Sequence, residues 1–288
     1  MVSFTTALLV ASSVASTVLA MPSHIHHNRH TVGVNHPHVT LEHRSSGINS
    51  TSGKRGAAYN SASTVTTLAN SGTVTWGYDW NMYSDGSLPS HVEYVPMLWG
   101  SKMFGTWFTA IETALNSGSK YILGFNEPDN SGQAAMSSSA AVSDYQYYIT
   151  PFKGKAKLVT PAVTNGVGAD TGLSWAENFL SGCSGSCGVS VLAVHWYGDS
   201  AADFKTFVGK AVALAEKYGL EETWVTEFAL NSAVNAGQGT QEAASFLEEV
   251  VPWLDGQSGV GRYAYFMCAE GYLLDGEKLS VSGQAYMA

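Results

Sequence analysis

The stretch Tyr121-Ile122-Leu123-Gly124-Phe125-Asn126-Glu127-Pro128-Asp129 is an apolar run that ends abruptly on an amide, a carboxylate and a proline. Near-continuous apolar runs suit strands of a parallel sheet whose faces are both covered. Seven other segments share this short apolar character: GAAYN (56–60), TVTWGY (73–78), VEYVPML (92–98), AKLVTPA (156–162), VSVLAVHWY (189–197), ETWVTEF (222–228) and GRYAYFM (261–267). Helical periodicity lies between many of them. Phe104, Trp107, Phe108, Ile111 and Leu115 share a face in 102–115, and Val142, Tyr145, Tyr148 and Ile149 do so in 139–150. Phe204, Phe207, Val208, Ala211 and Leu214 follow in 203–218, with Gly219 as the expected C-cap, then Ala244, Leu247 and Val251 in 240–254. Eight strand candidates with intervening helices predict an α/β fold, a compact (β/α)8 TIM barrel over residues 56–288. A doubly wound open sheet is the alternative. It calls for a Gly-rich phosphate loop after an early strand, and neither G-x-G-x-x-G nor a Walker sequence occurs.

In such a barrel the C-terminal strand ends form the functional face. They are aromatic and polar here: Trp76, Tyr78, Asp79 and Trp80 after the second candidate, Trp99 after the third, and His195, Trp196 and Tyr197 after the sixth. Aromatic faces stack on sugar rings while carboxylates and amides bind hydroxyls, so Trp76, Asp79, Trp80, Trp99 and Trp196 are expected to line subsites. Alternation forbids that all neighbours point inward, and Trp196, between His195 and Tyr197, is the best candidate to face out. Trp107 and Trp253 lie on helices and are expected in the core. Glu127 and Glu227 follow the fourth and seventh runs, from opposite sides of a barrel mouth. Two carboxyl groups about 5 Å apart across a glycosidic bond are what a retaining glycosidase needs. Asn126 can hold a sugar hydroxyl, Tyr197 can donate to Glu227, and His195 can tune the same network or bind sugar. Burial and the charge of Glu227 are expected to raise the pKa of Glu127.

Residues 1–20, MVSFTTALLVASSVASTVLA, read as a signal peptide with cleavage after Ala20. Residues 21–55 hold seven of the nine histidines and end at Lys54-Arg55, which suggests a solvated propeptide removed at a dibasic site to leave Gly56 first. From residue 56 on, ten Lys and Arg face twenty-two Asp and Glu, a net charge of −12. That balance disfavours nucleic acid and anionic polymers, accepts a neutral polymer and permits a cationic one such as chitosan. A secreted monomer with no membrane segment in its mature form is expected. Cys183 and Cys187 enclose Ser-Gly-Ser and are expected to form a small disulfide loop in an oxidising compartment, with Cys268 a buried thiol.

The strings Leu123-Gly124-Phe125-Asn126-Glu127-Pro128-Asp129 and Trp224-Val225-Thr226-Glu227-Phe228, with His195-Trp196-Tyr197 between them, resemble glycoside hydrolase family 128, including its fungal alkali-sensitive linkage protein-like members. The resemblance covers residues 56–288. It implies a (β/α)8 barrel of the large retaining clan, with Glu127 as acid/base and Glu227 as nucleophile. It further implies hydrolysis of β-1,3-glucan in cell-wall polysaccharide, endo-acting, with no metal or organic cofactor. The alternatives are a retaining hydrolase of another glycan, chitosan or β-mannan, and a noncatalytic wall-glucan-binding protein.

Overall fold

The computed structural model describes residues 53–236 and 239–288. The expected signal peptide and all but the end of the His-rich segment lie outside them. Strands and helices alternate: β1 (Gly56–Ala58), α1 (Ala62–Ala69), β2 (Trp76–Tyr78), β3 (Glu93–Tyr94), α2 (Trp107–Asn116), β4 (Tyr121–Ile122), α3 (Ser138–Tyr148), β5 (Lys157–Val159), α4 (Gly172–Cys183), β6 (Val189–Gly198), α5 (Ala201–Lys217), β7 (Glu222–Leu230), α6 (Asn231–Ala236), α7 (Gln241–Gly256) and β8 (Val260–Tyr265). A short antiparallel pair, β9 (Leu274–Asp275) and β10 (Lys278–Leu279), precedes α8 (Val281–Met287). The fold is α/β. β4 to β8 form a five-stranded parallel sheet in chain order, and β1 to β3 a three-stranded one. Isolated parallel bridges link the two: Met97 with Leu123, Arg55 with Tyr263, and Tyr59 with Cys268.

Both faces of the strands are buried, as the unbroken apolar runs require. β6 shows the division. Val191 and Ala193 enter an inner core shared by both sheets, with Ala58, Tyr78, Val95, Met97, Leu123, Val159, Trp224 and Ala264. Leu192, Val194 and Trp196 enter the outer core beneath the helices. Side chains on Ser137, Ser200, Thr240 and Ser280 accept from the backbone N–H three residues on and start α3, α5, α7 and α8. Each such cap contributes about 1 kcal/mol. Gly219 follows α5 with φ +68°, the left-handed turn expected of it. Gly124 is needed for another reason: a Cβ there would stand 2.6 Å from the Pro161 nitrogen.

Two expected subsite residues are corrected, and the folded unit takes in two residues ahead of Gly56. Trp76 opens β2 instead of ending it and is fully buried; its Nε1 donates to Lys54 O at 3.0 Å, and its ring lies 5.2 Å from that of Trp224. It is core at the far end of the strands from the expected site. Trp196 is not a subsite residue: as alternation led one to expect, it faces out from the inner core, stacking on Phe246 at 5.8 Å. The fold also begins before Gly56. Lys54 Nζ donates to the carbonyls of Leu254, Asp255 and Gln257 at the end of α7, and Lys54 O accepts from Tyr263 N at 2.8 Å. Arg55 is buried and donates to Tyr263 Oη, Tyr286 O and Asp255. The dibasic pair belongs to the folded unit. Cys183 and Cys187 are disulfide-bonded, and Cys268 is a buried thiol whose pKa burial pushes up to about 12. Trp107 is core, as expected.

Candidate active site

The side chains that converge at the C-terminal strand ends form the next inward-facing layer above the inner core. On β6, alternation carries Val191 and Ala193 to His195 and then Tyr197. β7 reaches the same layer by breaking alternation. Val194 pairs with Val225 but His195 pairs with Glu227, and on the other side Val225 pairs with Tyr263 but Phe228 with Tyr265. One extra residue is therefore inserted in β7 relative to both neighbours, the signature of a bulge. Trp224 faces in and Val225 faces out, yet after the bulge Glu227 faces in and Phe228 faces out. Tyr78 Oη donates to Thr226 O at 2.9 Å within this irregularity. Glu127 enters from β4 with φ +42°, its N–H donating to Ala162 O at 2.8 Å. A non-glycine residue held in the left-handed region is a strained placement of the kind that clusters at functional sites.

Glu127, Glu227 and His195 meet there, all buried. One carboxylate oxygen from each glutamate and one imidazole nitrogen lie within 4.8 Å of one another. His195 Nδ1 stands 2.9 Å from Glu127 Oε1 and 3.4 Å from Glu227 Oε1. Trp80 Nε1 donates to Glu227 Oε1 at 2.7 Å, and Tyr197 Oη donates to Glu227 Oε2. Asn130 Nδ2 donates to Glu127 Oε2 at 3.0 Å. The cluster has the spacing of a three-ligand metal site, but each carboxylate oxygen already faces an N–H or O–H donor. That environment suits a hydrogen-bonded carboxylate pair better than a cation.

The electrostatics overturn one expectation. Burial alone would raise Glu127, as anticipated, but the hydrogen bond and charge of His195 and the bond from Asn130 outweigh it and hold Glu127 below its usual range. Burial would lower His195, yet the charge of Glu227, the hydrogen bond and charge of Glu127, and the charge of Asp129 raise it. Burial and the Glu227 charge push Tyr197 far up, so it remains a donor.

Other expected residues divide. Trp80 is in the site, with φ +54°. Trp99 is half-buried, and its carbonyl accepts from Asn126 N at 2.9 Å. Asn126 is buried beside Glu127; its Nδ2 donates to Gln133 at 3.2 Å while its Oδ1 meets no partner among the described residues. Asp79 takes no part in the glutamate cluster: it accepts from Tyr94 Oη and Asp85 N and fixes its own loop. Sequence reading missed Asn130 and Phe266. Phe266 packs between Trp80 and Tyr197 at centroid distances of 5.8 and 5.7 Å. Its position two residues beyond Ala264 was the available signal, obscured because GRYAYFM has large side chains on both faces and no clean alternation of apolar and polar residues.

A family described as Glycosyl hydrolase catalytic core matches residues 56–286. The chain is 30% identical over 225 residues to Alkali-sensitive linkage protein 1 of Schizosaccharomyces pombe. That alignment spans 75% of this chain but only 39% of the relative's length. Among solved structures, a GH128 subgroup III curdlan-specific exo-β-1,3-glucanase from Blastomyces gilchristii, in complex with glucose, is similar with 42% identity and a TM-score of 0.75. The match covers 82% of this chain and 97% of that one. A GH128 subgroup I endo-β-1,3-glucanase from Amycolatopsis mediterranei, in complex with laminaripentaose, matches with 28% identity, a TM-score of 0.66 and coverage of 82% and 98%.

Proposed function

Because the chain belongs to the glycosyl hydrolase catalytic core family, we propose that it is a retaining β-1,3-glucan hydrolase built on a compact (β/α)8 barrel, with Glu127 as acid/base and Glu227 as nucleophile. The observation that carries this reading is the pair of buried carboxylates, one oxygen of each within 4.8 Å of the other, Glu127 in the segment that follows β4 and Glu227 on β7. Retaining enzymes place their two carboxyl groups about 5–5.5 Å apart, whereas inverting enzymes leave room for a water between them. Barrel closure is supported by the isolated bridges joining β8 to β1 and the third strand segment to the fourth.

In the first step a Glu227 oxygen attacks the anomeric carbon, the glycosidic C–O bond breaks, and Glu127 gives its proton to the leaving oxygen. In the second, water attacks the glycosyl ester, its proton returns to Glu127, and Glu227 leaves as carboxylate. Trp80 and Tyr197 fix the orientation of Glu227. His195 shares a proton with Glu127 across their hydrogen bond, so the pair carries the proton that the first step uses and the second restores. Trp80, Trp99 and Phe266 supply the aromatic walls on which glucosyl rings stack.

Release of sugar from chain ends is the favoured mode, because the exo-acting structure shares 42% identity. Internal cleavage, the expectation from sequence, is the second reading and is supported by the endo-acting Amycolatopsis enzyme. The chain is further proposed to be secreted through residues 1–20, to act outside the cell or in the wall, and to work as a monomer; no described helix is long and apolar enough to cross a membrane. Digestion of linear β-1,3-glucan, with product sizes followed over time, tests the proposal. Glucose accumulating from the outset indicates exo action and a ladder of oligomers endo action. Binding without any shortening would replace hydrolysis with wall-glucan binding, and cleavage of chitosan or β-mannan instead would move the substrate.

A further inference from the structure

Val95, Met97 and Trp99 alternate along the third strand segment, and the first two are fully buried in the inner core. Trp99 is therefore the last inward-facing residue of that segment, at the level of the glutamates. Its backbone is joined to the catalytic side by the bond from Asn126 N to Trp99 O. The indole rests against the inner core and remains partly exposed. Over the ring stands the ammonium of Lys102, with Nζ 3.4 Å from the ring centroid. Lys102 belongs to the short 3-10 turn Ser101–Met103 and is itself exposed. A pyranose that stacks on an indole approaches its face at van der Waals distance, so the ammonium occupies the volume such a sugar needs. Trp80, by contrast, is locked by its bond to Glu227. Lys102 reaches its position on a flexible four-carbon stem and can swing off the ring.

Resting on the β-1,3-glucan reading above, we propose that Lys102 is a movable cover over Trp99 and so a specificity-determining residue. The subsite on Trp99 opens only when a sugar displaces the ammonium. Oligosaccharides too short to reach Trp99 leave the cover in place, and longer ones bind against it. The cation–ring attraction weakens binding at that subsite by an amount comparable to an exposed cation–π contact.

The test is calorimetric binding of linear β-1,3-gluco-oligosaccharides, from the disaccharide to the hexasaccharide, to the Glu227→Gln protein, which keeps the cleft without turnover. Lys102→Ala is compared with the parent, and both are repeated with Trp99→Ala; melting temperatures establish that each variant is folded. The expected result is that Lys102→Ala tightens binding of the longer oligomers about two- to five-fold. The disaccharide should be unaffected, and the gain should vanish in the Trp99→Ala pair. Unchanged or weaker binding after Lys102→Ala overturns the cover, as does a gain that persists without Trp99. Wild-type activity on the polymer is measured first. If it is absent and the parent binds none of these oligomers, the glucan reading fails, and the cover fails with it by a separately visible result.

Discussion

Replacing Arg55 by alanine tests whether the dibasic pair is part of the folded enzyme. The guanidinium donates to Tyr286 O at 2.6 Å, to Tyr263 Oη at 3.1 Å and to Ala288 O at 3.3 Å, and pairs with Asp255 at 3.2 Å. The Arg55 and Asp255 side chains are 10% and 18% exposed. Removing one partner of a buried pair costs about 3–5 kcal/mol. Asp255 keeps the Tyr263 hydroxyl at 2.7 Å, so the lower end applies, about 3 kcal/mol. For a domain of this size each kcal/mol moves the melting temperature by about 2–4 °C, which gives a loss of about 6–12 °C. The assay is thermal unfolding, followed by circular dichroism, of the secreted full chain and its Arg55→Ala variant. N-terminal sequencing of the native protein should place its start upstream of Lys54, because proteolysis after Arg55 would detach the side chain that ties β1, β8 and α8 together. A variant melting within about 2 °C of wild type would refute the argument. So would a secreted enzyme that begins at Gly56 and retains full stability.

Two further outcomes concern the site. Glu227→Gln should lose activity on every substrate by orders of magnitude, and azide should give it an inverted α-product; Glu127→Gln should retain turnover of activated aryl glycosides, with azide giving a retained β-product, and exchanged stereochemistry would exchange the roles. His195→Gln should lower the melting temperature most between about pH 4.5 and 6.5: the depressed Glu127 stabilises above its unfolded value of 4.5 and stops doing so as pH falls through its folded value, while the raised His195 stabilises fully below 6.5 and stops as pH rises through its own. A difference that is flat from about pH 4 to 8 would remove the proton-sharing pair.

All eight strand candidates form strands, because burial on both faces writes itself into sequence as unbroken apolar runs. Several ladders are shorter than the apolar runs: 73–78 becomes Trp76–Tyr78, since apolar residues outside the paired stretch are buried too, whereas β6 and β7 extend past theirs to Gly198 and Leu230. This shift turned Trp76 from the expected strand end into the strand start, and its indole from subsite to core. The four predicted helices are present; α4 is not among them, although Trp175, Ala176, Phe179, Leu180 and Cys183 mark one face at helical spacing. The glutamates were legible from residue type and strand position. The bulge that aims one of them was not. Strict alternation from Trp224 would turn residue 226 inward, and the inserted residue shows only in the pairing with β6 and β8.

The lowered pKa of Glu127 stands against its role as an acid only if Glu127 is treated alone. It shares a hydrogen bond with His195, and a proton on either belongs to the pair. What draws that proton toward His195 is negative charge. The charge of Glu227 comes first among the influences that raise His195, ahead of those from Glu127 and Asp129. As Glu227 attacks the anomeric carbon its charge is consumed in the glycosyl ester, and one of the attractions holding the proton on the imidazole disappears. Water excluded by a bound sugar acts in the same direction, since burial disfavours the separated ion pair relative to neutral His195 and protonated Glu127. Nucleophilic attack and proton donation are thus linked through one buried imidazole that touches both carboxylates. The bulge in β7 completes that link by setting Glu227 level with His195 instead of one residue away.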